Sequence, residues 1–306
     1  MTRFLLLLLI FPFSTQAQQK EEIIKAIIKI NRLENADKGP SSVLPLDTSR
    51  LSEESKTALF EIPNKFDNHK NFQALRKLIN HDELALLTSH ENPVVRLFAI
   101  RQLIEERDYN FDFLKAFQYE LYKHDTITCR FYDMIEPTIT YRILLEDLSG
   151  DWNYAKSTDQ QEDLKFLTII TQAIDSFILF SNFNFPDHVY QDIFDRQKFS
   201  DSANSRILEL IRSKYNFWAF NYLKNKQPQL YDSIRIETIN TFNTDRKKIL
   251  ADHPHFFEWF LRYLITSHHF KISKLFIQEL KDKNYSKESI DWMLMGIDKG
   301  LIEKVK

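Results

Sequence analysis

Glycine is the residue in which this chain is poorest: there are four in 306 residues, where average usage would give about twenty. Strand-rich and α/β folds use glycine at tight turns, and phosphate-binding loops need it because a residue without a Cβ lets the backbone approach closely. The chain contains neither a GxGxxG nor a GxxxxGK[ST] sequence. The scarcity argues against nucleotide-binding α/β enzymes and favours helices joined by turns of Asn, Asp, Ser and Pro.

Cysteine and excess charge are also missing. The single cysteine, Cys129, excludes a disulfide within the chain, and its apolar neighbours favour a small buried hydrophobe over a nucleophile. The 41 basic and 43 acidic residues nearly cancel, with a net charge of −2. Nucleic acid is therefore not expected as a partner. We predict no cofactor, because no nucleotide-binding or metal-binding motif is present.

Long apolar runs are absent after the first residues of the chain. Arg3 precedes an apolar segment, Phe4 to Phe13, which is about half the ~20 residues needed to span a bilayer. Small residues then occupy the positions three and one before a cut after Ala17. This pattern is typical of a secretory signal peptide; an uncleaved anchor is the alternative. It predicts a chain exported to the periplasm or beyond the cell, with no transmembrane span once cleaved.

The remaining chain shows helical periodicity almost throughout. Isoleucines with the spacing of one helix face follow the predicted cut. The next stretch contains Gly and Pro and is typical of a linker. Further along, the polar segment "GDWNYAKSTDQQ" interrupts the helical periodicity and indicates a loop. No alternating run indicates a sheet, and we expect Pro137 at a turn between two helices. The predicted fold class is all-α, divided into a signal peptide (1–17), an N-terminal helix and linker (18–50), a helical region (51–149), a polar loop (150–161) and a second helical region continuous with the first (162–306).

The stretch "SHENPVVRLFAIRQL" contains a well-marked helix start. Asn92 is a capping residue and Pro93 suits the first helical position, where its missing N–H costs nothing. This stretch and the preceding "HDELALLTSH" together resemble one unit of a HEAT-type repeat over residues 82–106. The resemblance is carried by the Val95–Arg96 pair, Ala99 and the following leucine.

That resemblance implies stacked antiparallel helical pairs in an irregular HEAT-like α-α superhelix, with 51–149 as the HEAT-like region. In such repeats the arginine commonly bonds to an acidic or carbonyl partner in a neighbouring turn. The usual aspartate of the turn is here replaced by His90 or Glu91, which leaves the partner of Arg96 open. Solenoid surfaces of this kind mostly bind proteins or peptides.

Aromatic residues are abundant, with 26 Phe, 12 Tyr and 4 Trp, and two clusters stand out, at 215–222 and 256–263. Packing between helices explains most of these rings. The alternative is a sugar-binding groove, because rings can line a groove while exposing their polar tips. The predicted interaction or groove residues are Trp218, Tyr222, Trp259 and Tyr263.

The sequence contains only weak indications of a metal-binding or catalytic site. His253, His255 and Glu258 have a spacing that could hold a metal ion, but three or four ligands with supporting contacts are needed, and Pro254 is explained as a helix start. Acidic pairs are frequent, but which carboxylates converge is not visible in sequence. We therefore predict no catalytic or metal-binding residue. The predicted function is a non-enzymatic protein-interaction or scaffold role in the cell envelope; the alternative is a glycan-active enzyme or a sugar-binding module with an aromatic groove between helices.

Overall fold

The computed structural model describes residues 16–29, 32–34, 69–131 and 134–305. The predicted signal peptide as far as residue 15, and the predicted linker that follows the first helix, lie outside these ranges. Helices make up about three quarters of the described residues, which confirms the all-α class. The described residues form two compact units that divide between Ile174 and Asp175, and each is described separately below.

The first unit contains six complete helices in its described part, the start of a seventh and a small sheet. In chain order these elements are α1 (16–29), β1 (Arg32–Glu34), α2 (His69–Leu78), α3 (His81–Leu87), α4 (Pro93–Glu105), α5 (Phe113–Lys123), β2 (Thr126–Phe131), β3 (Met134–Ile139), α6 (Thr140–Ser157) and α7 (Gln161–Phe180), the last of which crosses into the second unit.

The second unit is entirely helical in its described part. After the end of α7 it contains α8 (Asp187–Arg196), a 3₁₀ turn (Asp201–Ala203), α9 (Asn204–Lys214), α10 (Phe217–Lys226), α11 (Pro228–Thr244), α12 (Arg246–Asp252), α13 (Pro254–Thr266), α14 (Phe270–Asp282), α15 (Lys287–Met293) and α16 (Lys299–Glu303).

The α3–α4 pair begins its helices as the sequence predicts. The side chain of Asn92 accepts hydrogen bonds from the backbone N–H groups of Val94 and Val95, and Pro93 is the first helical residue. Asn80 caps α3 in a reciprocal box with Glu83, which satisfies two backbone donors that a helix start leaves free. The two helices pack against each other across their short turn. Local capping chemistry therefore fixes where these two helices begin.

Arg96 lies in the core of the first unit. Its side chain is 1% exposed. Nε and Nη2 donate to the two carboxylate oxygens of Glu120 at 2.5 and 3.0 Å, Nη2 also bonds to Asp125, and Nη1 donates to the carbonyls of His90 and Glu91 at 2.9 and 2.8 Å. The partner left open by the sequence is thus the carboxylate of Glu120 on α5, together with the α3–α4 turn.

A three-stranded sheet corrects the expectation that the chain has none. The strand order is β1-β2-β3, with β1 parallel and β3 antiparallel to β2. Pro137, expected at a turn between helices, pairs with Thr128 in β3. A proline is tolerated there because β3 is an edge strand of the described sheet. Apolar residues at 127, 129 and 131 do alternate along β2, a strand signal in the sequence.

The loop predicted at 150–161 is also wrong over most of its length, because α6 continues to Ser157. Leu148, Trp152 and Ala155 lie on one helix face and are buried at 4%, 8% and 2% exposure. The indole N–H of Trp152 donates to the hydroxyl of Thr168 on α7 at 3.2 Å. This packing outweighs the helix-weakening Gly150.

Aromatic rings fill the core of the second unit, as the packing interpretation predicts. Phe220, Phe242, Phe256 and Phe260 come from α10, α11 and α13 and are at most 1% exposed. Phe242 meets Phe256 and Phe260 edge to face at 4.9 and 5.0 Å between centroids, a favourable arrangement for ring pairs. The core thereby fixes which face of α10 and of α13 reaches the surface.

Candidate functional site

Of the four predicted groove residues, the two tryptophans are partly exposed and the two tyrosines are buried. Trp259 is 39% exposed and Tyr222 and Tyr263 are buried at 2% and 6%; Trp218 is half-buried. The two indole rings lie side by side, with centroids 5.2 Å apart. Tyr263 bonds through its hydroxyl to Tyr231 in the core, so its expected place in a groove is wrong. Tyr222, although buried, lines the cleft described below.

Trp259 belongs to an exposed group of side chains on α13 and the turn after α15. Its ring stacks on Phe217 at 6.3 Å and 20°, and the guanidinium of Arg262 lies 5.5 Å from its centroid. Arg262 also donates to the backbone carbonyls of Met293 and Met295, at 2.5 and 3.0 Å. Met295 is 66% exposed. We call Trp259, Arg262 and Met295 the Trp259 surface.

Arg262 organises this surface because it joins the α13 ring to the turn that carries Met295. A guanidinium can stack on an aromatic face while its N–H groups bond to carbonyls in its plane. Trp292, on α15 immediately before Met293, is 65% exposed. The end of α15 and the exposed side of α13 thus both present large apolar side chains to solvent.

A second feature is a cleft between α8 and α10, which we call the α8–α10 cleft. Its volume is about 240 Å³ including the open mouth, and its enclosed part of about 20 Å³ has room for one water molecule. The cleft is lined by Phe194, Asp195, Trp218, Asn221, Tyr222, Asn225 and Lys226.

Tyr222 forms a fixed apolar wall of the cleft. Its hydroxyl accepts a hydrogen bond from the backbone N–H of Phe199 at 2.8 Å, and its ring lies 4.9 Å from that of Phe194. Burial raises the pKa of the Tyr222 phenol, which therefore stays neutral at physiological pH. The hydrogen bond and the ring contact hold Tyr222 in place in the wall of the cleft.

The histidines near α13 do not assemble a metal centre with Glu258 in the part of the chain that the structure describes. No group of three or more His, Cys, Asp or Glu side chains is arranged there to hold a metal ion. Pro254 is the first residue of α13, with His253 as its cap position. Burial raises the pKa of Asp187, while the charges of His253 and His255 oppose that rise. The two histidines therefore influence the charge of Asp187 but do not form a metal-binding arrangement with it.

Several buried carboxylates pair with arginines. Asp175 accepts two hydrogen bonds from Arg196 at 3.1 and 2.6 Å, although burial still raises the pKa of its carboxyl. Asp147 bonds to Arg101, and Glu120 to Arg96. These acids hold helices together, so they offer no pair of free carboxylates for the glycan-cleaving alternative.

No family model, curated protein or solved structure matches the chain. Among the described residues, no helix is both long enough and apolar enough to cross a membrane. The HEAT-type resemblance remains a prediction, and functional arguments depend on the geometry above.

The sequence could not single out the polar residues of the α8–α10 cleft. Asn221 and Asn225 follow Trp218 by three and seven positions, a spacing that places all three on one helix face. Asp195 joins them only because α8 packs against α10. The helical spacing of Trp218, Asn221 and Asn225 could have indicated that they share a face. No pattern in the sequence indicated that Asp195 of α8 would join them.

Proposed function

We propose that this chain is an exported, non-enzymatic protein-interaction module of the cell envelope, and that the Trp259 surface contacts its protein partner. The observation that carries the proposal is that Trp259 and Met295 remain 39% and 66% exposed while Arg262 holds them together. Export is supported by the N-terminal sequence pattern. Stacked helical pairs are supported by the α3–α4 unit and its buried arginine.

The composition of the Trp259 surface suits protein binding. Interfaces are enriched in Trp, Met and Arg, and the residues that dominate binding energy are most often Trp, Tyr and Arg. Arg262 is already bonded to two carbonyls, so the surface is ordered before a partner arrives. A pre-ordered surface loses little side-chain entropy on association. Exposed apolar groups of this kind commonly mark interaction sites.

Photo-crosslinking tests the proposal. A photoreactive phenylalanine derivative replaces Met295 in the full chain, produced in its own organism, and the control carries it at Ile236 on α11. The two positions match, with exposures of 66% and 68%. We expect one discrete protein adduct from position 295 and none from 236.

Adding Trp259→Ala to the position-295 variant should weaken binding of the partner about thirtyfold and reduce that adduct accordingly, because truncating a central aromatic residue that dominates an interface costs about 2 kcal/mol or more of binding energy. Circular dichroism and Tm establish that this variant remains folded. Equal labelling from 295 and 236, or labelling that survives Trp259→Ala in a folded chain, would contradict the proposal.

A further inference from the structure

We propose that Asn284, in the turn between α14 and α15, is the attachment site of an N-linked glycan. Asn284, Tyr285 and Ser286 form the pattern Asn-X-Ser, which is the acceptor sequence for such glycans and marks a surface segment of an exported chain. Each other asparagine in the sequence lacks a Ser or Thr two positions later. The inference goes beyond the proposed protein contact but rests on the export that belongs to the same proposal.

The structure places Asn284 just after the end of α14, in the surface turn that this acceptor sequence requires. Its φ is 61°, a left-handed conformation that asparagine tolerates better than most residues. Its backbone N–H donates to the carbonyl of Lys281 at 2.9 Å. The N–H of Tyr285 donates to the carbonyl of Leu280 at 3.0 Å, which completes a Schellman turn. These bonds use the backbone alone, and the side chain of Asn284 is exposed.

A glycan on this side chain would extend into solvent. Tyr285 is half-buried, and the other residues around Asn284 are exposed: Lys281, Asp282, Lys283, Ser286 and Lys287. An attached sugar therefore displaces no buried side chain. The amide of Asn284 is uncharged before and after attachment, so the charge of the turn is unchanged as well. The folded turn is compatible with the modified residue.

The hydroxyl of Ser286 has one role in the fold and another in the reaction. In the fold, its Oγ accepts from the backbone N–H of Ser289 at 3.1 Å and so caps α15. In the reaction, the acceptor sequence requires a hydroxyl at this position, where it offers both a donor and acceptors to the transferase. Because the cap already uses this oxygen, we expect attachment during export, before α15 forms.

The reaction needs a sugar donor, an oligosaccharide carried by a polyprenyl diphosphate, and a transferase of the same organism. Nδ2 of Asn284 attacks C1 of the first sugar. The Nδ2–C1 bond forms, the bond between C1 and the diphosphate oxygen breaks, and the lipid diphosphate leaves with the bonding electrons. Nδ2 gives one of its two protons to a base of the transferase. No oxidant or reductant takes part.

The glycan and the Trp259 surface lie at opposite ends of α15. Asn284 precedes this helix and Met295 follows it, and its seven residues span about 10 Å. We therefore expect the crosslink at Met295 to be the same in chains with and without the glycan.

Mass spectrometry of the full chain, recovered from the envelope of its own organism, tests the inference. A protease that cuts after glutamate releases residues 280–288, because Glu279 and Glu288 flank the turn. We expect this peptide to carry the added mass of an oligosaccharide, which fragmentation locates on Asn284. Asn240 is the internal control: it is also exposed, but Phe242 stands two positions later, so its peptide should have the unmodified mass.

Two substitutions at Ser286 separate glycan attachment from helix capping. Ser286→Thr and Ser286→Asp both retain a good cap for α15, but only threonine retains the hydroxyl. We expect Ser286→Thr to keep the oligosaccharide and Ser286→Asp to lose it as completely as Asn284→Asp does. Circular dichroism should show that all three variants are folded.

An unmodified 280–288 peptide in a chain that begins at Gln18 would overturn the inference and leave export standing. The same peptide in a chain that still begins at Met1 would overturn both. An oligosaccharide that survives Ser286→Asp, or that is attached to another residue of the peptide, would also overturn the inference. The crosslink at Met295 is read separately, so a glycan without an adduct supports this inference alone.

Discussion

At the scale of single residues, Arg96 shows how a buried charge is accommodated in this chain. Its five N–H donors meet five acceptors on Glu120, Asp125, His90 and Glu91. Burial by itself lowers the pKa of the guanidinium, but hydrogen bonds to Glu120 and Asp125 outweigh it and raise that pKa. The group therefore stays charged, and its removal leaves Glu120 without its main partner.

We predict that Arg96→Ala lowers the free energy of unfolding by about 3–5 kcal/mol, the usual loss when one partner of a buried ion pair is removed. Urea denaturation at neutral pH measures it. Adding Glu120→Gln should recover part of the loss, because an amide is less costly to bury than a lone carboxylate. The control Arg142→Ala removes an exposed pair with Glu146 and should cost below about 1 kcal/mol. Equal losses for Arg96 and Arg142 would refute the prediction.

Glu83 gives a prediction that depends on pH. Its carboxylate accepts from Lys20 at 2.6 and 2.8 Å and from the backbone N–H of Asn80 at 2.9 Å. The hydrogen bond from Lys20, then that from Asn80, lowers the pKa of Glu83. A carboxyl with a lowered folded-state pKa stabilises the fold above its unfolded-state pKa, and that contribution disappears as pH falls through the folded-state value.

We therefore expect Glu83→Gln to destabilise the chain at pH 7 by less than about 1 kcal/mol, since the pair is partly exposed. The difference should shrink as the pH falls from about 5 towards 3. Chemical unfolding across this pH range measures it, and a Lys20→Met background should reduce the effect of Glu83→Gln at pH 7. A difference independent of pH and of Lys20 would show that the carboxylate charge plays no part.

At the scale of elements, α6 shows why local composition misled the sequence prediction. Gly150 and the polar residues around it suggested a loop, but Leu148, Trp152 and Ala155 recur on one helix face and become buried. Tertiary packing decides such a segment, because intrinsic propensities differ by less than about 1 kcal/mol per residue. Trp152 reaches Thr168 on α7, a contact that the local sequence does not reveal.

Gly150→Ala tests the helical assignment directly. Gly150 is exposed within α6, so alanine should stabilise the chain by about 0.5–1 kcal/mol through its higher helix propensity. Thermal and urea unfolding measure the gain. Gly300→Ala is the control: an added Cβ there would lie 3.2 Å from Oδ1 of Asp298, which caps α16, so we expect no gain. A loss at position 150 would mean that this residue is not in a regular helix.

At the scale of the whole molecule, the features readable from sequence were those with local causes. The all-α class, the Asn92 cap and the proline helix starts needed only periodicity and capping chemistry. The pairing of β1 with β2 was missed because it joins residues about a hundred positions apart, as in Leu33 with Cys129. Pairing between residues so far apart produces no local pattern in the sequence. The alternation of apolar residues along β2 was present and could have indicated a strand.

The candidate site follows the same division. Trp218 and Trp259 could be named from sequence because aromatic clusters are visible in it. Which rings face solvent depends on how α10 and α13 contact the phenylalanine core, so Tyr263 was misplaced. Asp195 was invisible because it enters the cleft from α8. A surface that is assembled from several helices therefore cannot be predicted from the residue pattern of one segment.

The N-terminal helix α1 connects the export proposal to the folded chain. A cut after Ala17 would remove Gln16, whose side chain donates to the carbonyl of Leu78 at 3.2 Å in an exposed position. It would leave Lys20 bonded to Glu83 and would leave Ile27 fully buried. Since an exposed hydrogen bond contributes about 1 kcal/mol or less, the shortened helix should keep its place in the first unit.

We predict that the chain recovered from the envelope of its own organism begins at Gln18, because the apolar segment and small residues before the cut have the form that signal peptidase recognises. N-terminal sequencing and intact mass measure this. Ala17→Phe should block cleavage, since a large ring does not fit where a small residue is needed, and the full-length chain should accumulate. Its matched control is Gln19→Phe, which lies past the cut and should leave processing unchanged. An N-terminus at Met1 in the unchanged chain would refute export by this route, and the proposed partner would then have to be sought inside the cell.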